Sequence, residues 1–351
     1  MKICMVVPDI YVKGGIASVV NGYRTYDFGN QCEIVYIESY RNGNKYQKLL
    51  KAVRSYFIFR KELRKNRPDI VHIHSSFGPS FYRKLPFIYM AYQKKIPVIN
   101  HIHGADFDSF YLKASPAKKS LIAKMYNKCQ MLIALSDEWR ERLALIVPRE
   151  KIRILENYCQ IPQAIDREKT KQILFMGEIG GRKGSFDVPV VLEKAFTKAG
   201  KTQVVMAGDG EIVKVKELLE QVKLSDTVSF PGWVRGNEKD SLLRTSGIFL
   251  FPSYNEGMPM AVLEAMAYGM AIVTTNVGGI PRLIEDGING YLCEPGDTDK
   301  LADRLAELLL NETKRKTLGN AARQKAIQKY SIERHMAKLL DLYKQVLGER
   351  G

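Results

Sequence analysis

The amino-acid sequence predicts an α/β protein made of two doubly wound parallel sheets. Three observations carry this. The chain has 351 residues, about twice a usual single domain. Short apolar runs rich in strand-forming residues alternate with stretches long enough for helices. The alternation breaks at the polar stretch 163–170 and then restarts.

Taken in order, Lys2–Val7 is short, continuous and apolar, as a buried strand is, and Pro8 to Gly15 form a loop before a helical pattern from Ile16. Strands at 32–37, 70–73, Val98–Ile102 and 131–135 complete the first series. The second comprises 172–176, 203–207, 227–230, Ile248–Phe251, 271–274 and 290–293. At the end, Met336, Leu339, Leu340, Tyr343 and Leu347 share one face of a helix over Ile332–Leu347. The expected organisation is an N-terminal domain 1–165, a C-terminal domain 166–330 and a final helix in 331–351 that packs back on the N-terminal domain. Open α/β sheets bind ligands beyond the carboxyl ends of their strands, so two such domains facing each other would hold a ligand in the cleft between them.

Composition narrows the class. With 45% hydrophobic and 26% charged residues the chain is globular rather than disordered or fibrous. Its five cysteines form no CxxC pair, which excludes a disulfide framework and a thiolate zinc site and fits a reducing cytoplasm. No run of roughly 18 apolar residues occurs, and the apolar start is too short for a signal peptide, so neither membrane spanning nor export is expected. The net charge of +16 is uneven: residues 1–165 hold 27 Lys+Arg against 13 Asp+Glu, whereas the rest hold 27 against 25. Such asymmetry points to a polyanionic surface or substrate facing the first half.

The densest chemistry lies in residues 251–269, which leave a strand, turn through Asn255-Glu256-Gly257 and enter a helix at Met258-Pro259-Met260. Amides of Gly257, Met258 and Met260 at a helix start suit an anion, while Glu256 stands in the turn and Glu264 inside the helix. A phosphate and a sugar hydroxyl would fit there together. The alternative is that Glu256 caps the helix and Glu264 is solvated, although the small and apolar neighbours of Glu264 argue for a buried helix.

The spacing of Glu256 and Glu264 resembles the E-x7-E signature of the retaining glycosyltransferases of family 4, whose GT-B fold is two facing Rossmann-like domains with a donor cleft between them. Other segments agree in order: Gly14-Gly15, the stretch from Asp69 to His74, His103-Gly104, Ser136, Phe175-Met176-Gly177 with Arg182-Lys183-Gly184, Ala207-Gly208-Asp209-Gly210, the stretch from Phe230 to Val234, and Gly278-Gly279-Ile280-Pro281. The resemblance implies that Glu264 holds the donor ribose, Glu256 a hydroxyl of the transferred sugar, and Lys183 the donor diphosphate with Arg182 beside it. It also places Val234 and the turn from Gly257 to Met260 at the donor, the Gly14-Gly15 amides near the diphosphate, and His103 near the sugar as a catalytic residue with Glu256 and Lys183. One position departs from the family: where many members have arginine after the glycine equivalent to Gly177, this chain has Glu178.

Other candidates weigh differently. Alternation sends His72 with His74, and His101 with His103, to one face of their strands, so each pair has the look of a metal site. Nevertheless, neither a metal nor a cofactor is expected. Asp106-Phe107-Asp108 has a D-x-D form but lies far in sequence from the donor motifs, and is read as a loop facing acceptor. Residues 45–67 carry nine Lys+Arg against the single Glu62, interleaved with apolar residues of which Tyr46, Leu50, Val53 and Phe57 keep helical spacing. Such a helix suits an anionic membrane surface, with Lys48, Lys51, Arg54, Phe57, Arg60 and Lys61 as its contact residues and insertion by Tyr56, Phe57 or Phe59. The alternative is a surface helix whose apolar stripe packs on the sheet; nucleic acid is not expected, because no nucleic-acid-binding module accompanies the charge.

The expected function is retaining, metal-independent transfer of a sugar from a nucleotide diphosphate donor, UDP favoured, to a saccharide or lipid-linked saccharide of a cell-surface polysaccharide pathway. The place is the cytoplasmic face of the cell membrane. The rival readings are a nucleotide-sugar epimerase of the same fold and a non-catalytic binding protein.

Overall fold

A computed structural model describes residues 1–104, 106–163 and 170–348 of the protein, which form two compact units. The first comprises Met1–Asn157 together with the chain from Glu333 onward, and the second Tyr158–Ile332. Part of the expected linker, residues 164–169, lies outside the described residues.

In the first unit β1 (Lys2–Val7), α1 (Gly15–Thr25), β2 (Glu33–Glu38), α2 (Lys45–Lys65), β3 (Ile70–Ser75), α3 (Pro79–Gln93), β4 (Val98–Ile102), α4 (Pro116–Asn127), β5 (Met131–Ala134), α5 (Asp137–Ala144) and β6 (Ile152–Ile154) alternate along the chain. The sheet is parallel in the order β2-β1-β3-β4-β5-β6. The order doubles back beside β1, so the crossovers leave helices on both faces. Both faces being covered explains why β1 and β5 read as unbroken apolar runs, whereas β3 and β4 interrupt theirs with buried His72, His74, Asn100 and His101. One face carries Cys4, Val6, Val71 and Ile73 against Phe59, Phe81 and Phe87. The sequence gives no sign of β6: it has three residues, includes exposed Arg153 and lies at the sheet edge.

The second unit runs β7 (Ile173–Met176), α6 (Val188–Ala199), β8 (Val204–Ala207), α7 (Ile212–Gln221), β9 (Val228–Gly232), α8 (Gly236–Thr245), β10 (Ile248–Phe251), α9 (Met260–Ala267), β11 (Ala271–Thr275), α10 (Ile280–Leu283), β12 (Tyr291–Cys293), α11 (Thr298–Leu310) and α12 (Glu312–Lys329). Its parallel sheet has the order β12-β11-β10-β7-β8-β9. Counted within the unit this is the doubly wound order in which the chain reverses between its first and fourth strands, here β7 and β10. The crevice outside the carboxyl ends of that pair is where such a sheet receives a ligand. The last helix, α13 (Ile332–Leu347), docks on the first unit, where the Tyr343 hydroxyl meets His72 Nδ1 at 2.7 Å and His335 Nε2 meets the Tyr23 hydroxyl at 2.6 Å.

Candidate active site

The β7 and β10 ends bring together residues that lie far apart in sequence. After β7 the chain makes a tight turn at Gly181–Lys183, and after β10 it runs through Pro252, Ser253 and Tyr254 to Glu256. The Tyr254 amide donates to the Arg182 carbonyl at 2.9 Å, and Ser253 Oγ lies 3.0 Å from the same oxygen, stitching the two loops together. Gly184 permits the approach: its φ is +67°, and a Cβ there would stand 1.8 Å from the Pro252 carbonyl oxygen. A second clasp holds the Glu256 turn from behind, since a Cβ on Gly278 would meet the Glu256 carbonyl oxygen at 1.8 Å.

At the centre Lys183 Nζ donates to Glu256 Oε1 at 2.5 Å, and Ser253 Oγ donates to the same oxygen at 2.7 Å. The two ionic side chains are only 14% and 6% exposed. Burial pulls the Lys183 ammonium down from its usual range, opposed by the Glu256 charge. This is a charge pair held out of water beside an open sheet end, where an incoming anion would compete for the lysine. Arg182 is more exposed; its guanidinium pairs with Glu178 at 3.1 Å and donates to the Asn255 carbonyl at 3.4 Å. Glu178, the residue that departs from the family pattern, therefore holds the arginine beside Lys183.

Pro259 sits at the N-cap of α9, where its missing amide costs no hydrogen bond, and Gly257, Met258 and Pro259 are buried in the turn before it. Glu264 lies on the helix flank with its side chain 17% exposed, and its Oε1 accepts from Lys239 Nζ of α8 at 2.9 Å. Val234 is 6% exposed between β9 and α8. Sequence reasoning overlooked Ser253 and Lys239. Ser253 follows a strand inside the richest motif and offered a signal, whereas Lys239 in the first turn of a polar helix offered none.

The family described as glycosyl transferases group 1 matches residues 160–325, which contain this whole arrangement, and the one described as glycosyltransferase family 4 matches residues 19–159. The chain is a family-4-like glycosyltransferase of GT-B fold. It resembles the N-acetyl-alpha-D-glucosaminyl L-malate synthase of Bacillus anthracis, with 27% identity over 298 residues that cover 80% of this chain and 76% of the other. The UDP-Gal:alpha-D-GlcNAc-diphosphoundecaprenol alpha-1,3-galactosyltransferase of Escherichia coli is 27% identical over 323 residues, 84% of this chain and 80% of its own. Among solved structures, Anabaena HepE in complex with UDP-glucose superposes with a TM-score of 0.74 at 16% identity, covering 98% of this chain and all of the other.

The first unit of this glycosyltransferase holds the remaining sequence candidates. Gly14 takes φ +124° at the N-cap of α1, and a Cβ on Gly14 or Gly15 would meet nothing within 4 Å, so conformation rather than crowding requires glycine at 14. His103 follows β4, its amide donating to the Ser75 carbonyl at 2.8 Å and its Nε2 lying 2.9 Å from His74 Nδ1. Although part of the residue reaches the surface, desolvation of the ring, then His335, pulls its pKa to about 3. Asp106 and Asp108 flank the fully buried Phe107, and Arg142 takes Asp108 at 2.9 Å.

The basic helix α2 begins with a capping box between Asn44 and Gln47. It packs through Ala52, Ser55, Phe59 and Leu63, not through the stripe that sequence spacing picked out. That stripe is outside: Tyr46 is 84%, Leu50 70% and Phe57 68% exposed, with Leu49 and Ile58 beside them. Lys48, Arg54, Arg60 and Lys61 are exposed as well. Three expected contacts are corrected. Lys51 turns inward to Glu38 and Asp9 at 2.8 and 3.1 Å, Phe59 is a core residue, and Tyr56 packs on Phe87 with its hydroxyl on the Arg83 carbonyl. Among the described residues, no helix is long and apolar enough to cross a membrane.

Proposed function

We propose that this glycosyltransferase transfers a sugar with retention from a UDP-sugar to a hydroxyl of a lipid-linked saccharide in the assembly of a cell-surface polysaccharide. The observation that carries the donor half is the buried Lys183–Glu256–Ser253 group at the β7/β10 switch point. An anionic leaving group suits that place: the diphosphate would draw the Lys183 ammonium, with Arg182 as a second cation, while Glu256 turns to a hydroxyl of the transferred sugar. Glu264, steadied by Lys239, takes the ribose hydroxyls, and Val234 with the turn from Gly257 to Met260 lines the donor. For the first unit the proposal keeps His103 as a sugar contact and Gly14 and Gly15 as diphosphate contacts. The departing diphosphate removes the acceptor proton on the face it leaves, so no enzyme nucleophile and no metal is needed. UDP is supported by the UDP-Gal named for the galactosyltransferase relative and the UDP-glucose named in the HepE complex, and the lipid-linked acceptor by the diphosphoundecaprenol named for the former. An exposed apolar stripe beside exposed cations on α2 supports peripheral binding at an anionic membrane surface.

Calorimetry with UDP separates the two carboxylates. Glu264→Ala is expected to weaken UDP binding by roughly ten- to a hundredfold, the range of a lost charged hydrogen bond. Glu256→Ala is expected to leave UDP binding within a few-fold and to abolish turnover of the UDP-sugar. The reverse pattern would overturn the roles, and donor turnover without any acceptor would favour the epimerase.

A further inference from the structure

Three of the five histidines meet where the transfer reaction does not use them. His72 and His74 alternate on β3, and His101 on β4 stands opposite His74 in the ladder, so all three project from one face of the first unit's sheet. Their exposures are 0%, 1% and 0%. One ring nitrogen of each lies within 4.8 Å of one from each of the other two. The Nδ1 atoms of His72 and His74 are taken, by the Tyr343 hydroxyl at 2.7 Å and by His103 Nε2 at 2.9 Å. His72 Nε2, His74 Nε2 and both nitrogens of His101 are buried without a protein partner. Four buried polar atoms without a protein partner in one spot carry a desolvation cost unless a further group meets them.

We propose that His72, His74 and His101 form a transition-metal site for one zinc-class divalent ion, each giving one imidazole nitrogen. A donor set made only of imidazoles suits zinc, whereas magnesium and calcium favour oxygen. Zinc–nitrogen bonds of about 2.0–2.1 Å in a tetrahedron put donor atoms roughly 3.3 Å apart, so nitrogens now within 4.8 Å of one another would draw in by up to about 1.5 Å. The rings lie at 25°, 12° and 36° to one another, and His101, neither of whose nitrogens has a protein partner, is the ring whose χ2 can turn toward a shared ion without breaking a hydrogen bond. The outer contacts are those a ligating histidine uses to fix its ring: Tyr343 on His72 and His103 on His74. Tyr343 belongs to α13, so the ion would also tie the last helix to the sheet. A metal on His74 Nε2 keeps the proton on His74 Nδ1, which then donates to His103 Nε2 and leaves the His103 proton on its Nδ1. That consequence matters for catalysis only if His103 contacts the sugar as proposed; the metal site itself does not depend on it.

The test uses the untagged full chain, produced with zinc supplementation, with elemental analysis after gel filtration and absorption spectroscopy of the protein refolded with cobalt. The expected result is about one zinc per chain and the ligand-field bands of four-coordinate cobalt. His72→Gln and His101→Gln should each weaken binding at least tenfold, and Tyr343→Phe by roughly ten- to a hundredfold. Wild-type protein with native circular dichroism that holds less than roughly a tenth of an equivalent of metal would overturn the proposal, leaving buried water as the partner of these nitrogens. So would unchanged binding in correctly folded variants. UDP binding gives an independent reading of the donor unit, so failure of the metal site and failure of the donor reading are told apart.

Discussion

Replacing Lys183 with methionine strands the Glu256 carboxylate in a site where it is 6% exposed, with its cation gone and Ser253 Oγ left as the hydrogen-bond donor at Oε1. Removing one partner of such a buried pair costs about 3–5 kcal/mol. For a unit of the size of Tyr158–Ile332, each kcal/mol moves the midpoint by about 2–4 °C, so its transition should fall by roughly 6–20 °C. Replacing both residues, as Lys183→Met with Glu256→Gln, removes both charges and preserves an acceptor for Ser253, so most of that loss should return. Transfer should not return with it, because the double variant lacks both the cation for the diphosphate and the carboxylate for the sugar. Differential scanning calorimetry of the four members of the cycle, with UDP-sugar turnover alongside, reads both effects. If Lys183→Met cost less than about 1 kcal/mol, or if the double variant were no more stable than the single one, the buried-pair argument would fail.

Acid should unfold the first unit before the second. All five histidines lie in the first unit, and burial holds His72 and His335 at about 3, against about 6.5 in the unfolded chain. Each therefore contributes stability that is complete above about pH 6.5 and lost as the pH falls toward 3, roughly 2 kcal/mol apiece by pH 5 in metal-free protein. Two separated calorimetric transitions at pH 7 that failed to diverge by pH 5 would contradict this. Changing Lys48, Arg54, Arg60 and Lys61 together to glutamine should remove salt-sensitive sedimentation with anionic liposomes, at roughly 1 kcal/mol per cation, and Phe57→Ala should lower the salt-resistant remainder. Equal binding by wild type and variants would return α2 to an ordinary solvated surface. Withholding magnesium and manganese should leave transfer within a few-fold, since Lys183 and Arg182 supply the charge at the diphosphate; a large loss restored by either ion would bring Asp106 and Asp108 to the centre instead.

The strands were legible because inner strands covered on both faces are largely apolar, a property that survives in a linear string even where β3 and β4 carry buried histidines. Turn glycines were legible for a similar local reason: Gly14 and Gly184 take backbone angles or approaches that other residues resist. The Glu256 to Glu264 spacing was visible as well, since one turn and one helix start contain it. What the string could not show is which strand lies beside which. Only the sheet order sets β7 next to β10 and so puts Lys183 on Glu256 across 73 residues, and Glu264 on Lys239 across 25. The same holds in the first unit, where neighbouring strands turn two histidine pairs into one cluster roofed by a helix from the far end of the chain. On α2, helical periodicity found an apolar stripe but not its direction, because hydrophobic spacing marks a face while packing decides whether that face is buried or left bare.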